Sequence, residues 1–359
     1  MSNTHQSLRA LPLLILILVI FALNACTVFD KEAQAEKNFQ LALDYERGVG
    51  VDRNEQKAFA LLESAATAGH VYAQFYMGAK YDTEFSDPPH RLTDFRSYSR
   101  DKPMKTRGIV ENDTTAFYWY RLSAEGGFGN AQYNVGLMYQ KGRGVEQDKI
   151  QAVKWFQTAM KRYVPKAAYQ LANIYYYGDG VEKNYVEAFR LSIYAAEEGV
   201  KNSYVRLGNH YYNGLGVKQD YQEALKWYER AADNKDIYAF YNLGLIYHFG
   251  NGVEQNYSKA AQYYRTAVKN GHIDSHVNLA LLYLNGTGVL VDEEKAFDLT
   301  NLAAKKGNDA AQANLGAFFE QGIFVSKDND TALYWYQLAA KQGNKSAEES
   351  VKRLLAMAN

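Results

Sequence analysis

The hydrophobic pattern of this chain repeats every 36 residues. A small residue, alanine or serine, begins each period, and from residue 131 onwards the interval recurs six times without a slip. The positions are Ala131, Ala167, Ser203, Ala239, Ser275, Ala311 and Ala347. An earlier copy at Ala73 precedes Ala131 by 58 residues, which is one period plus 22 extra residues. A fixed period of this length is typical of stacked repeat proteins, so the pattern predicts a solenoid.

Each period begins with the pattern of an amphipathic helix. An aliphatic residue lies four positions after the small residue and an aromatic residue eight positions after it, as Val135 and Tyr139 do in the repeat that starts at Ala131. These positions share one face of a helix. The residue five positions after the small one is Gly or Ala throughout, which allows a neighbouring helix to come close.

A glycine turn and a second helix complete each period. The turn reads Gly-x-Gly-Val in most repeats, and glycine suits the left-handed backbone that ends many helices. An Asn or Asp stands four residues after the position of the second glycine of this turn. These residues are predicted N-caps of a second helix. They are Asn54, Asn112, Asp148, Asn184, Asp220, Asn256, Asp292 and Asp328. No strand pattern occurs, so the predicted fold class is all-α.

This combination resembles the Sel1-like repeat family, a relative of the tetratricopeptide repeat. Residues 131–145 and 239–253 match the signature of that family almost letter for letter. The resemblance covers residues 37–346 as eight repeats, with an insertion at about 82–107. Residues 347–359 would form a C-terminal capping helix, as solenoids need where an end repeat exposes its apolar face. The resemblance implies an α-solenoid of helix-turn-helix repeats that winds into a right-handed superhelix.

Three positions depart from the glycine pattern of the turns. Phe324 replaces the second glycine of the last turn, and Tyr163 and Lys235 replace glycines that close a repeat. A residue with a Cβ atom avoids the left-handed region. We therefore expect the corners at Tyr163 and Lys235 to be shaped differently from the others.

Residues 1–25 resemble a secretory signal. Their apolar run at 11–23 is shorter than the ~20 residues that span a bilayer, which favours a signal peptide over an anchor. The run ends in Leu-Asn-Ala-Cys, which resembles the bacterial lipobox and implies cleavage before Cys26 and acylation of its thiol. Cys26 is the only cysteine of the chain. If it is acylated, residues 26–36 are the acylated cysteine and a polar tether. The alternative is an ordinary secretory signal in which the cysteine has no special role.

The same resemblance predicts the compartment. Thr27 follows the cysteine, where many Gram-negative lipoproteins that stay in the inner membrane carry Asp. We therefore expect a lipid anchor in the cell envelope, in the outer membrane and facing the periplasm.

Charge and motifs exclude several classes of function. The chain has 40 Lys and Arg against 40 Asp and Glu, and this balance argues against nucleic-acid binding. His272 and His276 have the i, i+4 spacing of some zinc ligands, but no third ligand accompanies them. No nucleophile motif is present. The sequence predicts no catalytic residue, no cofactor and no metal.

Candidate partner-binding residues lie on the first helix of each repeat, which usually lines the concave side of such a superhelix. Aromatic and amide side chains dominate the positions that point away from the apolar stripe, and they suit an extended peptide or a glycan. They are Tyr133, Asn134, Tyr169, Gln170, Tyr176, Arg206, Tyr212, Tyr241, Asn242 and His248. The alternative is that these side chains join neighbouring repeats.

The predicted function follows from the resemblance. It implies a non-catalytic lipoprotein that acts as a scaffold or adaptor for a protein partner in the cell envelope. One alternative is binding to peptidoglycan or to the machinery of the cell wall or of exopolysaccharide assembly. Another is a β-lactamase-like hydrolase, although the disulfides of the cysteine-rich family members cannot form here. The insertion holds three of the five prolines and is either a functional loop or a tolerated excursion.

Overall fold

The computed structural model describes residues 30–84 and 110–358 of the chain. Over these residues seventeen helices follow one another without a strand, which confirms the all-α class. The helices are α1 (30–47), α2 (Glu55–Thr67), α3 (Val71–Tyr81), α4 (Asp113–Glu125), α5 (Gly129–Lys141), α6 (Lys149–Lys161), α7 (Pro165–Tyr177), α8 (Tyr185–Glu197), α9 (Ser203–Asn213), α10 (Tyr221–Asp233), α11 (Ile237–Phe249), α12 (Tyr257–Lys269), α13 (Ile273–Asn285), α14 (Glu293–Lys305), α15 (Asp309–Gln321), α16 (Asn329–Lys341) and α17 (Lys345–Ala358).

The chain divides into two compact bodies at Lys183. The N-terminal body contains α1–α7, and the C-terminal body contains α8–α17. Within each body, helices that follow one another in sequence pack together, and alanines and aromatic residues fill the space between them. The period of the sequence therefore corresponds to a helical hairpin that packs on the next hairpin.

Every predicted N-cap of a second helix is confirmed. The side chain of each of these residues accepts a hydrogen bond from a backbone N–H two or three positions later. In each hairpin that lies within one body, the cap also closes the hairpin, because its own backbone N–H donates to the carbonyl of the aromatic residue that ends the apolar stripe of the first helix. Asp220 N, for example, donates to Tyr211 O at 2.9 Å.

The insertion leaves this closure unchanged. Asn112 N donates to Tyr81 O at 2.9 Å, although 30 residues separate them instead of the usual eight. The chain thus leaves the repeat and rejoins it at the same hydrogen bond. Most of the predicted insertion, the predicted signal peptide and Cys26 lie outside the described residues.

The structure differs from the sequence-based expectation at both ends of the repeats. Residues 30–36, expected to belong to a polar tether, form the first turns of α1, because Ala35 and Phe39 lie one turn apart and are both buried. Glu36 accepts a hydrogen bond from His70 Nε2 at 2.8 Å. At the other end, α17 begins at Lys345, and its buried Ala347 and Leu354 lie in the apolar cluster of α16.

The small residue in the middle of each first helix permits a close helix pair. In the C-terminal body, a Cβ atom added at Gly208 would lie 2.3 Å from Tyr228 Cε1, and one at Gly244 would lie 2.4 Å from Tyr264 Cε1. Real Cβ atoms do not approach other atoms so closely. The ring of a fully buried tyrosine on the second helix therefore lies directly on the backbone of the first helix. We call this arrangement the glycine–ring pair.

The glycine–ring pair occurs in five of the described hairpins, and alanine stands in place of the glycine in the others. The pairs are Gly78 with Tyr120, Gly136 with Phe156, Gly208 with Tyr228, Gly244 with Tyr264, and Gly316 with Tyr336. In the hairpin of α13 and α14, Ala280 and Thr300 occupy the two positions. Along the sequence, Ala172 and Ser192 hold the same two places. A first helix with alanine is thus always followed by a second helix without the ring.

The three corners without glycine keep the left-handed conformation, so the expectation of a different shape at Tyr163 and Lys235 is wrong. Tyr163, Lys235 and Phe324 have φ of 57°, 63° and 60°. Hydrogen bonds impose this backbone: Lys235 N donates to Ala232 O at 2.8 Å and Asp236 N to Ala231 O at 3.2 Å, as the glycine corners do. The hydrogen bonds that end the helix thus override the local preference of the residue.

Replacing Lys235 with glycine is therefore expected to stabilise the protein by about 1 kcal/mol. A residue with a Cβ atom bears about 1–2 kcal/mol of strain in the left-handed conformation, and glycine adopts the same conformation without it. The greater freedom of glycine in the unfolded chain offsets part of this gain in stability. Urea unfolding followed by circular dichroism measures the change. The matched control is Gly271→Ala at the next repeat, where the added Cβ meets no atom within 4 Å, and it should lose stability. A Lys235→Gly protein less stable than wild type would contradict the strain argument.

Candidate partner-binding surface

The second-helix tyrosines carry their hydroxyl groups to the surface of the first helices. Tyr228 Oη donates to Asn209 Oδ1 at 2.7 Å, and Asn242 Nδ2 donates to the same oxygen at 3.4 Å. A chain of polar contacts thus joins α9 and α11 over a buried ring. Asn242 was predicted to bind a partner, and here its amide also connects two consecutive repeats.

The next repeat has the same design with different partners. The Tyr264 hydroxyl lies 3.4 Å from His248 Nδ1 and is hydrogen-bonded by the Asn278 side chain. The ring of Tyr241 lies on that of His272, with centroids 4.4 Å apart. Burial raises the pKa of Tyr264 and Tyr241 and lowers the pKa of His248. These groups are neutral near pH 7, so this part of the surface presents aromatic rings and hydrogen-bonding groups without charge.

Tyr212 and Arg206 complete the candidate residues of the C-terminal body. Tyr212 Oη accepts a hydrogen bond from Asn251 Nδ2 at 2.6 Å, and its ring meets Tyr221 edge to face with centroids 5.2 Å apart. Arg206 lies on α9 beside His210 and is half-buried. The Tyr212 ring is therefore held in place on two sides, and its remaining surface is half-exposed.

The N-terminal body holds the other five candidate residues. Tyr133 Oη accepts a hydrogen bond from Gln170 Nε2 at 3.3 Å, and the Asn134 side chain is hydrogen-bonded to the Tyr120 hydroxyl. Tyr176 lies against Tyr177, with centroids 5.0 Å apart. Tyr169 is a half-buried neighbour of Tyr133.

All ten candidate residues are half-buried, and they form two groups of five. The groups are Tyr133, Asn134, Tyr169, Gln170 and Tyr176 in the N-terminal body, and Arg206, Tyr212, Tyr241, Asn242 and His248 in the C-terminal body. The hydrogen bonds of Tyr133, Gln170 and Asn242 join neighbouring repeats, as the alternative interpretation proposed. Partner binding by these residues stays a prediction.

The two closely spaced histidines have local structural contacts. His272 caps α13, since its Nδ1 accepts from Ser275 N at 3.3 Å, and His276 Nδ1 donates to His272 O at 2.9 Å. Both side chains are buried. Over residues 30–84 and 110–358 there is no group of three or more His, Cys, Asp or Glu side chains that could hold a metal ion.

Three histidines of the C-terminal body predict a loss of stability in mild acid. Burial lowers the pKa of His210, His248 and His272 below the usual value. The unfolded chain therefore takes up protons from about pH 6.5 downwards while the folded chain resists them, and the free energy of unfolding falls between pH 7 and pH 5. Urea midpoints at pH 7.5, 6.5 and 5.5 measure this slope. His210→Gln should reduce it, and an equal slope in that variant would contradict the assignment.

A charged cluster at the base of the insertion was missed by the sequence analysis. The Arg143 guanidinium pairs with Asp82, with Glu84 at 3.0 Å and with Asp113 at 3.4 Å. Tyr120 Oη donates to Asp82 Oδ2 at 3.1 Å. Burial raises the pKa of the Asp82 carboxyl, and Arg143 opposes that shift. Asp82 lies nine positions after Ala73, the same place in the repeat that Tyr212 and His248 occupy. This position in the repeat could have identified Asp82 as a candidate functional residue from the sequence.

Comparisons with known proteins identify the repeats. The Sel1 repeat model matches eight segments that together make up well over half of the chain. The segments are 38–70, 106–128, 129–161, 165–200, 202–236, 237–272, 273–308 and 309–344. The eight predicted repeats are thus confirmed. No curated protein matches the chain.

Two solved structures are similar over most of the chain. One is a protective antigen present in uropathogenic Escherichia coli strains that displays an SLR fold, with 27% identity and a TM-score of 0.68. The alignment covers 90% of this chain and 66% of that protein, so the chain spans just under two thirds of its length. The other is a Sel1 repeat protein from Oxalobacter formigenes, with 24% identity, a TM-score of 0.64, and coverage of 92% and 90%.

Two general properties accompany this fold. Sel1 repeat proteins generally mediate protein–protein interactions, and the scaffold is generally non-catalytic. None of the helices between residues 30 and 358 that the structure describes combines the length and apolarity of a membrane span. The eight matched repeats, the helical hairpins and the similar solved structures together show that this chain belongs to the Sel1 repeat family and folds as an all-α repeat solenoid.

Proposed function

We propose that this protein is a non-catalytic adaptor of the cell envelope that holds a protein partner on the first helices of its repeats. The observation that carries the proposal is the row of neutral aromatic and amide side chains in the C-terminal body, of which Tyr212, Tyr241 and Asn242 are members. Rigid aromatic rings offer contact area at low entropic cost, and amides pair with the backbone of an extended polypeptide.

The anchor is a separate part of the proposal. The Leu-Asn-Ala-Cys sequence supports acylation of Cys26, and the residue after it supports the outer membrane. Only three residues separate Cys26 from residue 30, which belongs to α1. The first repeat would therefore stand close to the membrane surface. Metabolic labelling with an alkyne fatty acid tests the anchor: wild type should be labelled and Cys26→Ser should not, and label on both would contradict it.

The adaptor role is tested by crosslinking in cells. The full-length protein carries the photoreactive residue p-benzoylphenylalanine at Tyr176 or at Tyr212, and adducts are identified by mass spectrometry. A discrete protein adduct at these positions is expected. The matched control is Tyr163, which is 87% exposed at a corner between helices and should give no such adduct.

The opposite result assigns the surface to another ligand. If neither position yields a protein adduct and the protein co-purifies with sacculi or polysaccharide, the surface binds a glycan and the adaptor proposal is wrong. A supporting variant is Tyr176→Ala with Tyr212→Ala, which should abolish the adduct at a third position, Tyr241, while the thermal midpoint changes little. A large fall in that midpoint would instead show that the two rings are structural.

A further inference from the structure

One stretch of the N-terminal body carries only basic charge. Between the N-cap Asp148 and the turn residue Asp179 the sequence contains no Asp or Glu, although the whole chain has 40 acidic residues against 40 basic ones. The stretch covers α6 and α7 and holds five basic residues, Lys149, Lys154, Lys161, Arg162 and Lys166. These two helices therefore form a local excess of positive charge in a chain that is neutral overall.

The corner where α6 passes into α7 exposes most of this charge. Lys161, Arg162 and Tyr163 follow one another there, and all three are exposed. Lys154 lies two helical turns before Lys161, on the same face of α6, and is also exposed. We call Lys154, Lys161, Arg162 and Tyr163 the basic corner.

Folding stability does not account for the tyrosine of the basic corner. Tyr163 has φ of 57°, a conformation that strains a residue with a Cβ atom, and six other corners carry glycine at a positive φ. The side chain of Tyr163 is 87% exposed, so little packing compensates for the strain. Phe324 has a similar φ, but its ring contacts that of Phe297 with centroids 5.5 Å apart. A ring that projects into solvent beside two cations indicates a ligand outside the chain.

The basic corner lies on the same edge of the N-terminal body as the start of α1. Each corner of this edge contacts the one before it, and the first corner contacts α1. The contacts are Glu36 with His70 (2.8 Å between Oε2 and Nε2), Tyr72 with Phe128 (ring centroids 5.1 Å apart), and Gly129 with Arg162, where an added Cβ atom would lie 2.8 Å from Arg162 Cβ.

This edge is also where the proposed lipid anchor joins the body. Cys26 lies four positions before residue 30, so even an extended chain keeps its thiol within ~14 Å of α1. Packed helices lie about 8–10 Å apart, which places the basic corner roughly 30 Å from α1 along the edge. An edge that begins at the anchor can lie along the membrane.

We propose that the basic corner docks on the anionic phospholipid surface that carries the lipid anchor, an inference that rests on the anchor of the proposed function. Lys154, Lys161 and Arg162 would contact headgroup phosphates. The Tyr163 ring would lie at the level of the headgroups, where tyrosine is enriched in membrane proteins. The anchor and the corner are two points of attachment, and together they would fix the orientation of the N-terminal body on the membrane.

The shape of the corner favours a lipid surface over an acidic protein. A Cβ atom added at Gly69, the equivalent position two corners earlier, would meet no atom within 4 Å. Corners of this kind therefore project from the body and form no groove for a polypeptide. A projecting tip with three exposed cations suits a flat layer of phosphate groups, because each cation can reach a separate headgroup.

A fluorescent label at position 163 tests the docking. An acylated Cys26 has no free thiol, so Tyr163→Cys gives the mature lipidated protein a single thiol for an environment-sensitive nitrobenzoxadiazole maleimide. The protein is reconstituted into phosphatidylcholine vesicles with or without about 30% phosphatidylglycerol. We expect the anionic lipid to raise the emission at least ~2-fold, and about 0.5 M NaCl to reverse the rise. The matched label is Lys235→Cys, at a left-handed corner flanked by Asp233 and Asp236, and it should not respond.

Charge reversal at the corner tests the contact itself. A basic residue near an anionic surface contributes about 5-fold to binding, so Lys161→Glu with Arg162→Glu should weaken docking at least ~25-fold and abolish the rise in emission. The matched control is Lys305→Glu with Lys306→Glu, at the same two places four repeats later, and it should keep the rise. Absence of a rise at position 163, a rise that survives the first reversal, or an equal rise at position 235 would overturn the docking.

Labelling of wild type separates this inference from the proposed function. Wild type has no cysteine besides Cys26, so an acylated protein should take up no dye. Dye on wild type would overturn the anchor and the docking together. An unlabelled wild type with an unresponsive dye at position 163 would overturn the docking and leave the anchor standing.

Crosslinking in cells identifies the occupant of the corner. With p-benzoylphenylalanine at Tyr163, mass spectrometry should find an adduct with a phospholipid. A discrete protein adduct at this position would show that the corner binds an acidic protein, and it would overturn the membrane as the occupant.

Discussion

Replacing Arg143 with alanine is expected to lower the free energy of unfolding by about 3 kcal/mol, which is the largest effect that we predict for an exchange outside the apolar core. The side chains of Arg143 and Asp82 are 15% and 8% exposed. Removing one partner of such a pair leaves a charge that water cannot reach, and that typically costs about 3–5 kcal/mol. Chemical unfolding of the full-length protein, compared at equal m-values, measures the loss.

The neighbouring ion pair provides the matched control. Lys141 pairs with Glu84, but both side chains are about half exposed. Exposed pairs contribute about 0–1 kcal/mol, so Lys141→Ala should change stability little. Adding Asp82→Asn to Arg143→Ala should recover part of the loss, because the amide carries no charge and can still accept from the Tyr120 hydroxyl. Equal losses for Arg143→Ala and Lys141→Ala would show that the buried pair behaves as a surface pair.

The size of the Arg143→Ala effect should also depend on pH. Burial raises the pKa of Asp82 in the folded protein, and without Arg143 the carboxyl loses the charge that opposes this rise. Below its unfolded pKa of about 4 the carboxyl is protonated in both states, and no charge is buried. The difference between wild type and variant should therefore grow as pH rises from 4 to 7. A difference that shrinks over this range would contradict the burial of a charge.

Replacing Gly244 with alanine is expected to cost about 2 kcal/mol, and the sign of the effect should reverse when the facing ring is removed. The new Cβ would lie 2.4 Å from Tyr264 Cε1, and the ring is fully buried. Overpacking of this kind costs about 1–3 kcal/mol. In a Tyr264→Thr background the clash is gone, and alanine should be better than glycine by about 1 kcal/mol because of its helix propensity.

A double-mutant cycle over Gly244 and Tyr264 measures this coupling as about 3 kcal/mol. The natural counterpart is Ala280 opposite Thr300, where Ala280→Gly should lose about 1 kcal/mol with no compensating gain. A cost for Gly244→Ala that is the same with and without the Tyr264 ring would show that the helix tolerates a Cβ there and that the pairing is incidental.

The features that the sequence predicted well are those that depend on neighbours along the chain. An N-cap such as Asp220 needs only the N–H groups two and three residues later, so its role follows from its place in the period. The fold class follows from the same regularity. The corner at Lys235 was predicted wrongly because the preference of that residue is against φ of 63°. The hydrogen bonds that end α10, from Lys235 N to Ala232 O and from Asp236 N to Ala231 O, override this preference.

The features that the sequence analysis missed depend on pairs of positions. Arg143 and Asp82 are 61 residues apart, and the insertion between them hides their common register. The exchange of the glycine–ring pair for Ala280 and Thr300 becomes visible only when Ala280 is considered together with the residue 20 positions later, whereas a period is found from single positions. The sequence predicts which residues lie on the candidate surface. It does not predict the hydrogen bonds that Asn242 and Gln170 make between repeats, because these bonds depend on the positions of side chains 33 and 37 residues away.

The glycine–ring pair affects which of the near-identical helices pair with each other while the chain folds. Consecutive repeats present similar apolar stripes, so a helix could associate with the wrong copy while the chain folds, a common failure of repeat proteins. A helix with Ala280 cannot receive the ring of Tyr264 or Tyr336, because its Cβ occupies the place of that ring. Conversely, Thr300 opposite Gly244 or Gly316 would leave a hole. The pair of Ala280 and Thr300 therefore distinguishes the hairpin of α13 and α14 from both of its neighbours, and it favours correct assembly by penalising the exchange of helices between them.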